Sequence, residues 1–207
     1  MWKRSGSILF ASVATVATIG LSAGQAFAAG GWSVSPGGNI TGKAGTTTLQ
    51  DSSTHTKLTC ASSKAGGTVK KGKGLSGNGI ASIKMVSFSN CKGPLGLTFT
   101  VKTAHLPWHL NAKSFKSGVT HGTLTGIHAT LTGSGCKATI DGTKATANNG
   151  MVAGTYTNGT HVLKILASGG NLHIYNVNGC FGLIKSGDKS AFTGSYKITP
   201  GQTIKGP

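Results

Sequence analysis

Residues 151–177 read MVAGTYTNGTHVLKILASGGNLHIYNV, and the parsing of this stretch decides the fold class. Three runs rich in β-branched and aromatic residues are separated by Asn158-Gly159 and by Ser168-Gly169-Gly170. Asn-Gly between two such runs is the strongest short hairpin signal, because a type I′ turn needs positive φ at both central positions. The stretch therefore reads as an antiparallel meander of three strands. Leu163 and Ile165 share one face, with Val162, Lys164 and Leu166 on the other. Leu172 and Ile174 likewise oppose His173, Tyr175 and Val177. Both faces are partly apolar, which suits a central sheet position or a sandwich wall.

The same alternation extends outward. Leu97, Phe99 and Val101 are in phase, as are Ile127, Ala129 and Leu131, and as are Phe192, Tyr196 and Ile198. In IASIKMVSF, Ile83 and Met85 fall in one phase and Ile80, Val86 and Phe88 in the other, which calls for a β-bulge near Lys84. Further Asn-Gly turn signals stand at Asn78-Gly79, Asn149-Gly150 and Asn178-Gly179. No stretch holds a 3.6-residue period. The expectation is an all-β protein, an antiparallel sandwich or barrel of about ten to twelve short strands.

The chain opens MWKRSGSILFASVATVATIGLSAGQAFAAG. Lys3 and Arg4, the apolar run 8–21 and Ala26-Phe27-Ala28 are the three parts of a secretory signal peptide. The 14-residue apolar run is shorter than the roughly 20 residues of a membrane span. Residues 1–28 are thus expected to be removed, leaving a single β-rich domain over 29–207 in a secreted protein without a membrane span.

Beyond residue 28 the chain holds 18 lysines, no arginine, no glutamate and three aspartates (Asp51, Asp141, Asp188), a formal charge of +15. Cys60, Cys91, Cys136 and Cys180 follow the export signal, in a compartment where disulfides persist. Four cysteines allow three connectivities. Cys60–Cys91 with Cys136–Cys180 is favoured, because each pair brackets a contiguous hairpin-rich segment.

This inventory disfavours most enzyme chemistry, and the expectation is a non-catalytic protein with no cofactor and no metal. A glycosidase of the usual kind needs two flanking carboxyl groups, and the three aspartates sit in turn-like contexts. Beyond residue 28 there is no G-x-S-x-G elbow, no P-loop, no glycine fingerprint leading from a strand into a helix, and no calcium loop. No histidine stands beside a cysteine. The most varied segment is HLPWHLNAKSF, 105–115. It reads as a structural corner, with Pro107 interrupting pairing and Trp108 packing down as an apolar plug. Its second reading is a ligand-facing lip made by His105, Trp108 and His109.

The charge is the strongest functional clue, since a strongly basic surface attracts polyanions. The densest cluster is Lys64, Lys70, Lys71 and Lys73 in SKAGGTVKKGKG. Lysine meets phosphate as a point charge, without the bidentate fork of arginine, so sequence-specific reading of nucleic acid is not expected. The segments GTLTGIHATLTGSGC, YTN (156–158), GGNLHIYNVNGCFGLIKSGD and YKITPGQTI resemble a group of small secreted actinobacterial β-rich proteins of unassigned function. The likeness covers roughly residues 100–205, and more loosely GWSVSPGG, and implies secretion and a β-rich domain but no activity. The leading expectation is association with anionic cell-envelope or extracellular polymers. The alternatives are a carrier of a small apolar ligand inside the sandwich or barrel, and a secreted inhibitor or toxin acting through an exposed loop.

Overall fold

The computed structural model describes residues 31–207 except Ser134. The expected signal peptide, 1–28, lies outside the described residues. Among the described residues fifteen strands follow one another: β1 (Trp32–Ser35), β2 (Gly38–Ala44), β3 (Thr47–Asp51), β4 (Lys57–Val69), β5 (Gly72–Leu75), β6 (Ala81–Lys92), β7 (Thr98–Ala104), β8 (Trp108–Lys116), β9 (Val119–Gly133), β10 (Cys136–Asp141), β11 (Gly150–Thr157), β12 (Val162–Ile165), β13 (His173–Asn178), β14 (Ser190–Thr199) and β15 (Thr203–Lys205). Twelve of them belong to one antiparallel sheet, and β15–β1–β5 form a small second one.

The large sheet closes on itself. Four long strands, β4, β6, β9 and β14, run its full height. The four positions between them are each filled by two shorter strands placed end to end. β2 and then β3 pair with β4 on one side and β14 on the other. β7 and then β8 fill the gap between β6 and β9. β10 and then β11 continue along β9. β12 bridges β11 to β14. β13 pairs with β10 and is tied to the start of β14 by Ile174 N–H to Asp188 O (2.8 Å) and Ser190 N–H to Leu172 O (2.8 Å). The result is an eight-stave, up-and-down antiparallel barrel, which resolves the choice between sandwich and barrel. Among the described residues closure leaves no long unpaired edge in the wall.

The alternation read from sequence builds this barrel. Leu163, Ile165, Leu172, Phe192, Tyr196 and Ile198 all line its interior. The phase switch in β6 is the expected bulge: Gly66 opposes Met85 and Gly67 opposes Ile83, so Lys84 is the extra residue. The partner strand comes so close there that a Cβ on Gly67 would run into the Ser82 carbonyl oxygen. A second bulge lies in β9 at Gly126, where φ is +87°. It lets Leu124 and Ile127, three residues apart, both line the interior.

The three-strand meander of 151–177 is corrected. β11 and β12 do form a hairpin, but across the four residues Asn158 to His161, with His161 rather than Asn158 in the left-handed region (φ 54°). β12 and β13 do not pair. Ser168-Gly169-Gly170 sits in a loop that stays on β11, through Leu166 N–H to Ala153 O (3.0 Å) and Asn171 N–H to Met151 O (3.0 Å). The chain leaves the wall at Leu166 and rejoins it in the same direction. Asn149-Gly150 likewise follows an insertion between two halves of one stave, not a hairpin.

Both expected disulfides are present, Cys60–Cys91 and Cys136–Cys180. The first joins directly opposed residues of β4 and β6, and the second ties the start of β10 to the chain after β13. Disulfides persist in oxidising compartments outside the reducing cytosol. The small sheet packs on the other end of the barrel. Ile204 of β15 is held there by Asn158, whose side chain donates to Ile204 O (2.7 Å) and accepts from Ile204 N–H (3.0 Å).

Candidate functional site

Every one of the eighteen lysines is exposed. The barrel sorts them in a way that sequence spacing does not suggest. Lys43 of β2 stands directly opposite Lys64 of β4 on one side and Lys197 of β14 on the other. Three cations thus form one row across three neighbouring strands, which lie about 4.8 Å apart. Directly opposed like charges destabilise a sheet. Lys197 Nζ donates to Thr160 O (2.6 Å), which fixes that end of the row. Among the described residues no lysine pairs with an aspartate; the ion pair present is His128–Asp141.

Each aspartate accepts from at least one backbone N–H group. Asp51 accepts from Ser53 N–H (2.7 Å) and Thr54 N–H (2.9 Å), and Asp188 from Lys185 N–H (3.0 Å). Asp141 is fully buried. Its carboxylate accepts from Gly142 N–H (2.6 Å), Asn149 N–H (3.1 Å) and Asn148 N–H (3.0 Å), and faces His128 Nδ1 at 2.9 Å. A carboxylate partner makes Nδ1 the protonated nitrogen. Burial pushes the Asp141 carboxyl up, but His128 and the three N–H donors together outweigh it and hold it below its ordinary value. The knot is completed by Tyr175 Oη donating to Gly142 O (3.0 Å) and by the His105 ring set edge-on to His128 at 4.8 Å. This arrangement can orient an imidazole, but among the described residues no hydroxyl or thiol hydrogen-bonds to it.

The other residues singled out from sequence separate. Lys70 and Lys71 lie in the β4–β5 turn and Lys73 in β5, at the end of the barrel that carries the small sheet. Lys64 lies down the wall from them, six residues and roughly 20 Å along extended chain from Lys70. In HLPWHLNAKSF, residues 105–107 are the break between β7 and β8 in one stave. Trp108 turns inward, is 4 % exposed and donates its indole N–H to Ala104 O (3.1 Å). His105 and His109 remain outside, so the ring and the two imidazoles occupy opposite faces of the wall.

The barrel interior is not filled. A cavity of about 110 Å³ is lined almost wholly by apolar side chains, among them Leu49, Val86, Trp108, Leu124, Phe192 and Tyr196. A second, of about 70 Å³, lies toward the small sheet and includes Tyr156 and Ile204.

Comparison with family models, curated proteins and solved structures finds no match.

Sequence reading missed Lys43 and Lys197 because they lie near opposite ends of the domain and meet only when the last stave closes on the first. The signal was there: each is the outward residue between two inward ones, in Gly42-Lys43-Ala44 and Tyr196-Lys197-Ile198. On the apolar side, Tyr196 Oη meets Ser63 Oγ at 2.9 Å, while Tyr156 Oη donates to Gln202 O (2.8 Å) and accepts from Gln202 N–H (2.9 Å). Burial raises both phenols above their ordinary value. Phenolate absorbance should therefore show Tyr156 and Tyr196 ionising above the ordinary value of about 10. Their contribution to stability is complete below that value and lost as pH rises through the raised one. Loss of part of the delayed step in a Tyr196→Phe variant assigns it; absence of any ionisation above the ordinary value would contradict the burial.

Proposed function

We propose that this is a secreted, non-catalytic barrel that associates with anionic polymers of the cell envelope or extracellular space through the row Lys197–Lys43–Lys64. One observation carries the reading: three lysines stand in direct register with no carboxylate beside them, an arrangement that costs stability in the free protein. A bound polyanion turns that repulsion into attraction. Lys70, Lys71 and Lys73 at the barrel end, with Lys205 in the same small sheet, provide a second contact. The reading suits a wall whose outward residues near the row, such as Thr41, Ser87 and Ser195, are polar while its interior is apolar. That is the reverse of barrels embedded in lipid.

The test is co-sedimentation of the mature protein with isolated cell walls at ~50 and ~200 mM salt, with and without removal of the wall's anionic polymers. The wild type is expected to bind at low salt and to be released by salt or by polymer removal. Lys43, Lys64 and Lys197 changed together to Gln should abolish most of the binding, with Tm equal to or above wild type. The set Lys70, Lys71 and Lys73→Gln should weaken it less. Undiminished binding of the first variant would move the site elsewhere, and no binding at low salt would make the charge a solubility feature.

A further inference from the structure

The barrel interior carries an inference independent of the lysine row. We propose that the main cavity is a binding site for a compact, neutral, mostly apolar molecule bearing one hydrogen-bonding group, on the scale of a single aromatic ring. Three observations converge on it. The first is size and lining: about 110 Å³ bounded by apolar side chains, and about 70 Å³ beyond it, the two sharing Ile40, Leu110, Leu124, Leu163, Ile165 and Ile198. Apolar cavities of roughly 150 Å³ stay dry and take up benzene.

The second is an orphaned hydroxyl. Thr47 lines the main cavity, is 1 % exposed, and its Oγ1 has no hydrogen-bond partner. A buried hydroxyl left unpaired is costly; Oγ1 is itself covered, so a ligand with one polar atom recovers this cost when the Thr47 side chain rotates its hydroxyl toward the cavity. Thr120 repeats the pattern in the second cavity, 5 % exposed with Oγ1 unpartnered.

The third is an approach. Where the stave breaks between β12 and β13, the loop 166–172, held to β11 by its two backbone hydrogen bonds, borders a solvent-side pocket of about 310 Å³. Val152, Leu172 and Phe192 line both this pocket and the main cavity, so the three side chains form the partition between them. Ser190, whose buried Oγ is also unpartnered, lines the outer pocket.

The experiment uses the folded mature protein with two probes of the same shape, benzyl alcohol and toluene, followed by NMR shift changes of interior methyl groups. Both are expected to shift Leu124, Leu163 and Ile165, with benzyl alcohol favoured. Thr47→Val, which keeps the shape and removes the hydroxyl, should erase that preference, leave toluene binding intact and raise Tm of the empty protein by about 2–4 °C. Ala129→Leu, which grows into the cavity from its wall, should block both probes. Val152→Ala, which thins the partition, should speed toluene exchange several-fold. Interior methyls unmoved by either probe would overturn the site. A preference surviving in Thr47→Val would overturn the role of the hydroxyl, and exchange unchanged in Val152→Ala would overturn the route.

Discussion

Asp141→Ala should destabilise the protein by about 3–5 kcal/mol, measured by urea unfolding, from a total that for a domain of this size is about 5–15 kcal/mol. The side chain is fully buried and serves four donors, three of them backbone N–H groups of the insertion between β10 and β11. Alanine leaves all four without their acceptor, and each buried donor stranded in this way costs about 1–3 kcal/mol before water penetrates. His128→Ala removes one donor and leaves the loop bonds in place, so its cost should be the smaller, about 1–2 kcal/mol. The pair also predicts an acid limb. Because the folded-state carboxyl is held below its ordinary value, its contribution is complete above the unfolded value of about 3.9 and lost as pH falls through the lowered one. In Asp141→Asn that limb should flatten. Equal acid sensitivity in wild type and variant would show that the knot does not form.

The second large effect concerns the staples. Changing Cys136 and Cys180 together to Ser should cost about 4 kcal/mol, from the loop of 44 residues that the bond closes in the unfolded chain. Cys60 and Cys91, 31 residues apart, give nearly the same figure on that model. The structure separates the two by where opening begins. Cys60 and Cys91 lie in a β4–β6 ladder that runs on to Val69 and Ala81 and holds without the bond. Cys180 follows β13, and the chain from there to Lys189 contains no strand among the described residues. Hydrogen exchange should therefore rise first over residues 173–189 in the Cys136/Cys180 variant, and stay close to wild type over β4 and β6 in the Cys60/Cys91 variant. Uniform loss of protection in both would mean that the barrel opens as one unit.

Much of the wall was legible, because a half-buried strand writes its two faces into alternate residues. The phases of Ile127, Ala129 and Leu131, and of Phe192, Tyr196 and Ile198, point inward as expected. The switch across Lys84 was readable as a bulge because a single extra residue is all that inverts the pattern. What the alternation does not carry is partner identity. Ser168-Gly169-Gly170 has the composition of a reversal, yet the loop keeps its backbone bonds to Met151 and Ala153 and delivers the chain to the same stave. Barrel closure is equally silent in the sequence, and the lysine row depends on it. Lys64 stood out by its place in a local cluster, whereas Lys43 and Lys197 are isolated in sequence and adjacent only in the closed wall. The Asp141–His128 pair was missed for a related reason. Each residue has an ordinary local reading, a turn aspartate and an outward histidine, and only the β9–β10 pairing brings them within 2.9 Å.

The proposed contact between a polyanion and the in-register lysines is tested by the salt dependence of binding. A short DNA duplex serves as a probe of known charge density, titrated into wild type and into the variant with Lys43, Lys64 and Lys197 changed to Gln. Each phosphate contact contributes about 0.9 to the slope of log affinity against log salt, so removing the row should lower the slope by about 3. Those three contacts alone correspond to a roughly 40-fold weakening between ~50 and ~200 mM salt, which the variant should no longer show. Steep salt dependence is expected in the wild type and the reduced slope in the variant. An unchanged slope, or no binding by the wild type at low salt, would contradict it.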